Sequence, residues 1–247
     1  YRSMSNAPTI RAFVAGATGY TGREVVRLLG EKGIETHMHV RPDSSGLERW
    51  TDYASEYGLT LDTTPWRTQA FDSHFANLSP THVFALLGTT KARAKRVGRA
   101  GGDANLNTYE TVDYGLTMEL FEAGLKMKVP PRFVYLSSAG SGENAKGAYL
   151  KVRHRIESSL AESYKSYVTI RPSFITGAGR DDNRPMERVG AALSDGVLGT
   201  LGLLGGRRLR NRYRSISNVQ LARAVVHFGL LDSGSAKIVE GESLHDV

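Results

Sequence analysis

The sequence predicts an α/β fold, a doubly wound parallel sheet with small C-terminal insertions on the substrate side. Two observations carry this. Apolar, β-prone runs alternate with helix-spaced amphipathic segments along most of the 247 residues, the order that places helices on both faces of a parallel sheet. The first such run, Ala12-Phe13-Val14-Ala15, feeds three glycines spaced three apart, Gly16, Gly19 and Gly22, and a helical pattern follows at once over residues 24–29.

That stretch, Gly16-Ala17-Thr18-Gly19-Tyr20-Thr21-Gly22, reads as a cradle for a dinucleotide phosphate. Gly16 allows a sharp turn off the strand, Gly19 lets backbone approach a pyrophosphate, and Gly22 lets the new helix pack closely on the sheet. The helix N-terminus then presents free N–H groups and a partial positive charge to the anion. Residues 35–40 read as a second strand ending at Arg41-Pro42, residues 47–57 as a short helix and 59–63 as a third strand. The continuous apolar run 81–87 is a buried-type strand stopped by Gly88-Thr89-Thr90. Residues 109–128 predict one long amphipathic helix closed by Pro130-Pro131, and 132–137 the next strand. Val152, Ile156 and Leu160 place a helix over 149–164, followed by a strand at 167–170 that ends at Arg171-Pro172. Further helices are expected at 186–198 and 218–231, a final edge strand at 236–239, and a loop at 199–214.

Composition narrows the function. Forty per cent of the residues are apolar and 23% charged, as in one large domain with a substantial core. Tyr1-Arg2-Ser3 ahead of Met4 is set aside as an appended leader, leaving 4–247 as a single domain. Neither a membrane-length apolar run nor a secretory leader is visible, so a soluble, intracellular, cytoplasmic protein is expected. The absence of cysteine excludes disulfides and thiolate chemistry. The net charge of +7 favours anionic partners. Its clusters at 91–99 and 207–214 read as solvated faces, with no stacking-aromatic pattern to argue for nucleic acid. His37 and His39 share a strand face but have no third ligand in the sequence, so no metal site is expected.

Two constellations carry chemistry. Arg41 follows the second strand where an acidic side chain would bind the ribose 2′-hydroxyl of NAD, and a basic one there suits the 2′-phosphate of NADP. The alternative is a surface arginine with Asp43 turned inward. Ser137-Ser138 end the fifth strand, and Tyr149 begins the next helix eleven residues after Ser138. A tyrosine can protonate a developing alkoxide when a cation lies near it, and a serine can hold the substrate oxygen. Arg153, four residues after Tyr149, shares its helix face, so both can reach the cofactor.

At these residues the chain resembles the short-chain dehydrogenase/reductase superfamily, in its atypical branch of Tat-interacting-protein-like oxidoreductases. The resemblance runs from Ile10 over nearly the whole chain. It rests on the glycine stretch, Leu87-Gly88-Thr89-Thr90, Val112-Asp113, Leu136-Ser137-Ser138, Tyr149-Leu150-Lys151-Val152 and Arg171-Pro172. It implies an NAD(P)-binding Rossmann fold, NADPH across the strand ends and a Ser-Tyr-Lys catalytic set. By that resemblance Ser138 polarises the substrate and Tyr149 is the acid. Leu87, Gly88 and Thr89 flank the adenosine, and the backbone after Pro172 faces the nicotinamide. The lysine of the set is Arg153 here, which can hold a ribose and carry charge but cannot relay a proton.

The expected activity is NADPH-dependent reduction of a small carbonyl compound by a monomer or homodimer. The alternative is an NADPH-binding, redox-sensing regulatory or scaffold protein with protein partners.

Overall fold

The computed structural model describes residues 9–88, 108–176, 215–231 and 237–247. Seven parallel strands form the main sheet: β1 (Arg11–Ala15), β2 (Glu35–His39), β3 (Thr60–Asp62), β4 (His82–Ala85), β5 (Arg132–Leu136), β6 (Tyr167–Arg171) and, at the edge, β9 (Lys237–Glu240). Their order is β3-β2-β1-β4-β5-β6-β9. A separate two-stranded parallel pair joins β7 (Ile175–Thr176) to β8 (Ile216–Ser217). The helices are α1 (Gly22–Glu31), α2 (Leu47–Glu56), α3 (Gln69–Leu78), α4 (Thr117–Leu125), α5 (Ala148–Ser163) and α6 (Asn218–Leu230).

Strand alternation sorts the core into two layers. Ala12, Val14, Met38, Phe84, Val134 and Val168 point to one face and pack with Val25, Val26 and Leu29 of α1, Trp50 of α2 and Leu221 and Val225 of α6. Phe13, Ala15, Val83, Phe133 and Tyr135 point to the other and meet Phe71 and Phe75 of α3, Leu120 of α4 and Val152, Ile156 and Leu160 of α5. Both faces are thus covered, as a parallel sheet requires, and each fully buried large apolar side chain contributes about 1.5–3 kcal/mol. On the outer side of α1, Arg27 bridges Glu24 and Glu31 at 3.1 and 2.5 Å. The strand order turns back on itself between β1 and β4, the crevice where such Rossmann sheets bind ligands at the carboxyl ends of their strands.

Three features depart from the sequence reading. Helix α3 was not anticipated; Thr68 caps it by accepting from the Phe71 amide at 3.2 Å, and Phe71 and Phe75 bury its inner face. Residues 109–128 do not form one regular helix. Tyr109–Leu116 winds as a π-helix and only then becomes α4. Pairing of β7 with β8 is also additional. The expected helix at 186–198 and the basic segments 91–99 and 207–214 lie outside the described residues.

Candidate active site

A cavity opens at the carboxyl ends of the central strands. The turn after β1 supplies Gly19 to Gly22, the stretch after β4 supplies Leu86 to Gly88, the end of β5 supplies Leu136 and Ser137, and Tyr109, Tyr149, Arg153 and Ile175 complete the wall.

The glycine turn is held by backbone geometry. Gly16 sits at φ +80°, and a Cβ there would stand 2.5 Å from the Leu86 carbonyl oxygen. The Gly19 amide donates to the Gly16 carbonyl at 3.0 Å, and the Arg23 amide to the Gly19 carbonyl at 3.0 Å. A Cβ on Gly22 would fall 2.0 Å from the Gly16 oxygen, so α1 begins as close to the turn as backbone permits. Gly19, Tyr20, Thr21 and Gly22 face the cavity. Gly16 and the fully buried Ala17 sit behind them as packing, and Thr18 is exposed beyond the lining. The turn is also tied to the far end of the chain, because Asn218 Nδ2 donates to the Tyr20 carbonyl at 3.4 Å and the Tyr20 hydroxyl to the Thr176 carbonyl at 3.5 Å. The start of α1, where Gly19 and Gly22 bring backbone to the cavity, fits a pyrophosphate.

Arg41 stands at the end of β2 with its side chain 59% exposed and Nε 3.9 Å from Asp43 Oδ1. Asp43 is itself 76% exposed, so it does not turn inward. Gly88 lines the cavity, and Thr89 lies outside the described residues.

The serines separate. Ser137 is buried, lines the cavity, donates its amide to the Ile170 carbonyl at 2.7 Å and holds its hydroxyl 3.3 Å from that of Ser141. The Ser138 hydroxyl donates to the Ala139 carbonyl at 3.3 Å, and Ser138 is not among the lining residues. Both serines lie just beyond β5, where the chain leaves the sheet. Pro172 likewise serves as backbone, its carbonyl accepting from the Ala139 amide at 2.8 Å, while Ile175 brings that stretch into the cavity.

Tyr149 is where the sequence places it, at the start of α5 and in the cavity, with its ring 5.2 Å from that of Tyr109. Arg153 also lines the cavity, held there by protein acceptors. Its Nη1 donates to the Tyr135 hydroxyl at 3.1 Å and the Leu136 carbonyl at 2.7 Å. Its Nη2 donates to the Leu87 carbonyl at 3.2 Å and to Asp113 Oδ1 at 2.6 Å. Both terminal nitrogens are therefore spent on protein acceptors, and Nε is buried with no partner among the described residues. The guanidinium carbon also lies 5.1 Å from the Tyr149 ring centroid, within cation–π range. Burial works against the charge of Arg153, but the Tyr135 and Tyr149 phenols and the Asp113 carboxylate outweigh it and raise its pKa above the ordinary guanidinium value. Burial pushes the Tyr135 hydroxyl up as well. Asp113 is fully buried. Its motif was visible in the sequence, its bond to Arg153 was not.

Away from the cavity lining, His39 Nε2 donates to the Thr64 carbonyl at 2.9 Å, its Nδ1 takes the Trp66 indole N–H at 3.1 Å, and His74 meets Asp62 at 2.7 Å. Among the described residues no group of three or more His, Cys, Asp or Glu side chains could hold a metal, and no helix is long and apolar enough to cross a membrane.

A model of the NAD dependent epimerase/dehydratase family matches residues 12–212. "Protein FMP52, mitochondrial" of Coccidioides immitis is 27% identical over 228 residues, 88% of this chain and 84% of that protein. "Protein fmp52-1, mitochondrial" of Aspergillus oryzae is 31% identical over 182 residues, 70% of this chain and 68% of its own length. Among solved structures, the UDP-Glc/GlcNAc 4-epimerase of Campylobacter jejuni superposes with a TM-score of 0.66 at 13% identity, over 95% of this chain and 80% of that one. Vestitone reductase from alfalfa superposes with a TM-score of 0.57 at 15% identity, over 93% and 76%. At such identities the superpositions establish the fold alone.

Proposed function

The chain belongs to the NAD dependent epimerase/dehydratase family, whose members use a nicotinamide dinucleotide, and we propose that it is an NADPH-dependent oxidoreductase reducing a small carbonyl compound. The observation that carries the proposal is the convergence of the glycine turn, Ser137 and Tyr149 on one cavity at the strand ends. The bound nicotinamide supplies the hydride that reduces the carbonyl carbon. The turn at Gly19 to Gly22 would take the pyrophosphate, and Arg41 would take the 2′-phosphate that separates NADPH from NADH. Ser137 would hold the substrate oxygen; Ser138, the serine implied by resemblance, would need to turn inward to do so. Tyr149 would give its phenolic proton to that oxygen as the C–H bond forms, yielding the alcohol and NADP+, and would recover a proton from solvent.

Calorimetric titration of the cofactor-stripped protein with NADPH and NADH, followed by an aldehyde and ketone panel, tests this. Tyr149→Phe is expected to lower turnover by about 10²–10⁴-fold while leaving NADPH affinity nearly unchanged; retained turnover removes Tyr149 from the reaction. The engagement of Arg153 with Asp113 favours a second reading, an NADPH-binding redox sensor with little turnover. Tight NADPH binding with inactivity across the panel would select it. Both relatives are named mitochondrial; we favour the mitochondrion over the cytoplasm, and cell fractionation separates the two.

A further inference from the structure

We propose that Asp113 is a positioning residue of this site, acting through Arg153 to frame the cavity that takes the dinucleotide. The inference rests on the dinucleotide-binding reading above. Arg153 joins three walls of the cavity: the end of β4 through the Leu87 carbonyl, the end of β5 through the Leu136 carbonyl, and α5, on which it stands against the Tyr149 ring. The two terminal nitrogens of a guanidinium carry four N–H groups. Leu87, Leu136, Tyr135 and Asp113 account for all four.

Of those acceptors only Asp113 is charged. A buried cation faced by neutral acceptors alone is strongly destabilising. The carboxylate at 2.6 Å, with side-chain exposures of 5% for Arg153 and 0% for Asp113, supplies the compensating charge and holds the guanidinium in the cavity wall. The local backbone is shaped to deliver it. Asp113 sits within the π-helical stretch Tyr109–Leu116, a widened turn of the kind that often marks functional sites. A reciprocal cap between Thr108 and Thr111 fixes the start of that stretch. Gly88 passes directly beneath the pair, since a Cβ there would stand 3.0 Å from Nη2 and 3.6 Å from Asp113 Oδ1.

The test is a double-mutant cycle on NADPH affinity, read by calorimetry on protein whose melting temperature shows it folded. Asp113→Asn, Arg153→Met and the uncharged pair Asp113→Asn/Arg153→Met are compared; the pair leaves no unpaired buried charge, so it keeps the test open if a single variant unfolds. Each folded variant is expected to bind NADPH at least about tenfold more weakly, with the double variant no worse than either single one, because the two residues act as a unit. A folded double variant with wild-type affinity would reduce the pair to a stability element and overturn the proposal. So would wild-type affinity in Asp113→Asn alongside a loss in Arg153→Met, which would make Arg153 a direct ligand. If the wild-type protein binds no NADPH, the proposed function falls and this inference with it; if the wild type binds and the double variant binds equally, only the inference falls.

Discussion

Gly22→Ala puts the glycine turn to a quantitative test. An alanine Cβ at this position would lie 2.0 Å from the Gly16 carbonyl oxygen, 2.9 Å from the Gly16 carbonyl carbon and 3.1 Å from the Ala17 Cα. All three neighbours are backbone, so no rotamer change relieves the clash, and either the turn or the first turn of α1 must retreat by roughly 1 Å. Overpacking of this kind costs about 1–3 kcal/mol, and the rigid neighbours place it at the upper end. The better helix propensity of alanine returns at most about 1 kcal/mol. A net loss of about 2 kcal/mol lowers the melting temperature of a chain this size by about 4–8 °C. Because the same shift displaces the amides that face the cavity, NADPH affinity should fall at least about tenfold. Gly142→Ala is the control, since a Cβ there meets nothing within 4 Å, and it should stay within about 0.5 kcal/mol of wild type. Thermal melts and calorimetric titrations of the two variants decide the matter. If Gly22→Ala melts and binds like Gly142→Ala, the close approach of helix and turn is not what the site depends on.

Arg41→Ala should weaken NADPH about 10–100-fold, the worth of a charge-assisted contact, and leave NADH unchanged; equal losses for both cofactors would remove the 2′-phosphate assignment. Arg132 closes the end of α6, its Nε donating to the Gly229 carbonyl at 2.9 Å and its Nη2 to the Phe228 carbonyl at 3.2 Å. Arg132→Ala should therefore cost about 3 kcal/mol, read in urea unfolding. Burial pushes the His39 imidazole below its ordinary 6.5, against the Thr64 carbonyl and the Asp62 carboxylate, which favour the cation. The unfolded chain then takes up a proton that the folded one resists, so stability should decline as the pH falls below about 6.5. His39→Phe should flatten that decline in pH-dependent urea melts, and an unchanged slope would assign it elsewhere.

Most of the sheet was legible because its signals are local. Three glycines after an apolar run, and apolar strands ending at Arg41-Pro42 and Arg171-Pro172, need no knowledge of distant residues. Helix α3 escaped because its buried face rests on two aromatic residues, Phe71 and Phe75, within an otherwise polar stretch. The π-helix escaped because apolar spacing over 109–125 does not distinguish a bond to the fourth residue from one to the fifth. At the site, Tyr149 could be read from its distance to the serines. Which serine faces inward depends on the direction in which β5 leaves the sheet. The fate of Arg153 depends on Asp113, forty residues earlier, and no spacing rule connects them.

The hydrogen bond from Asn218 to the Tyr20 carbonyl joins positions 198 residues apart, and α6 packs its apolar face on α1 in the same layer. The glycine turn is thus closed by an element translated long after it. During synthesis the first strand, turn and helix emerge early, yet Val25, Val26 and Leu29 have no α6 to lie against until Leu221 and Val225 leave the ribosome. A nascent chain halted before residue 215 would therefore expose the apolar side of α1 to chaperones.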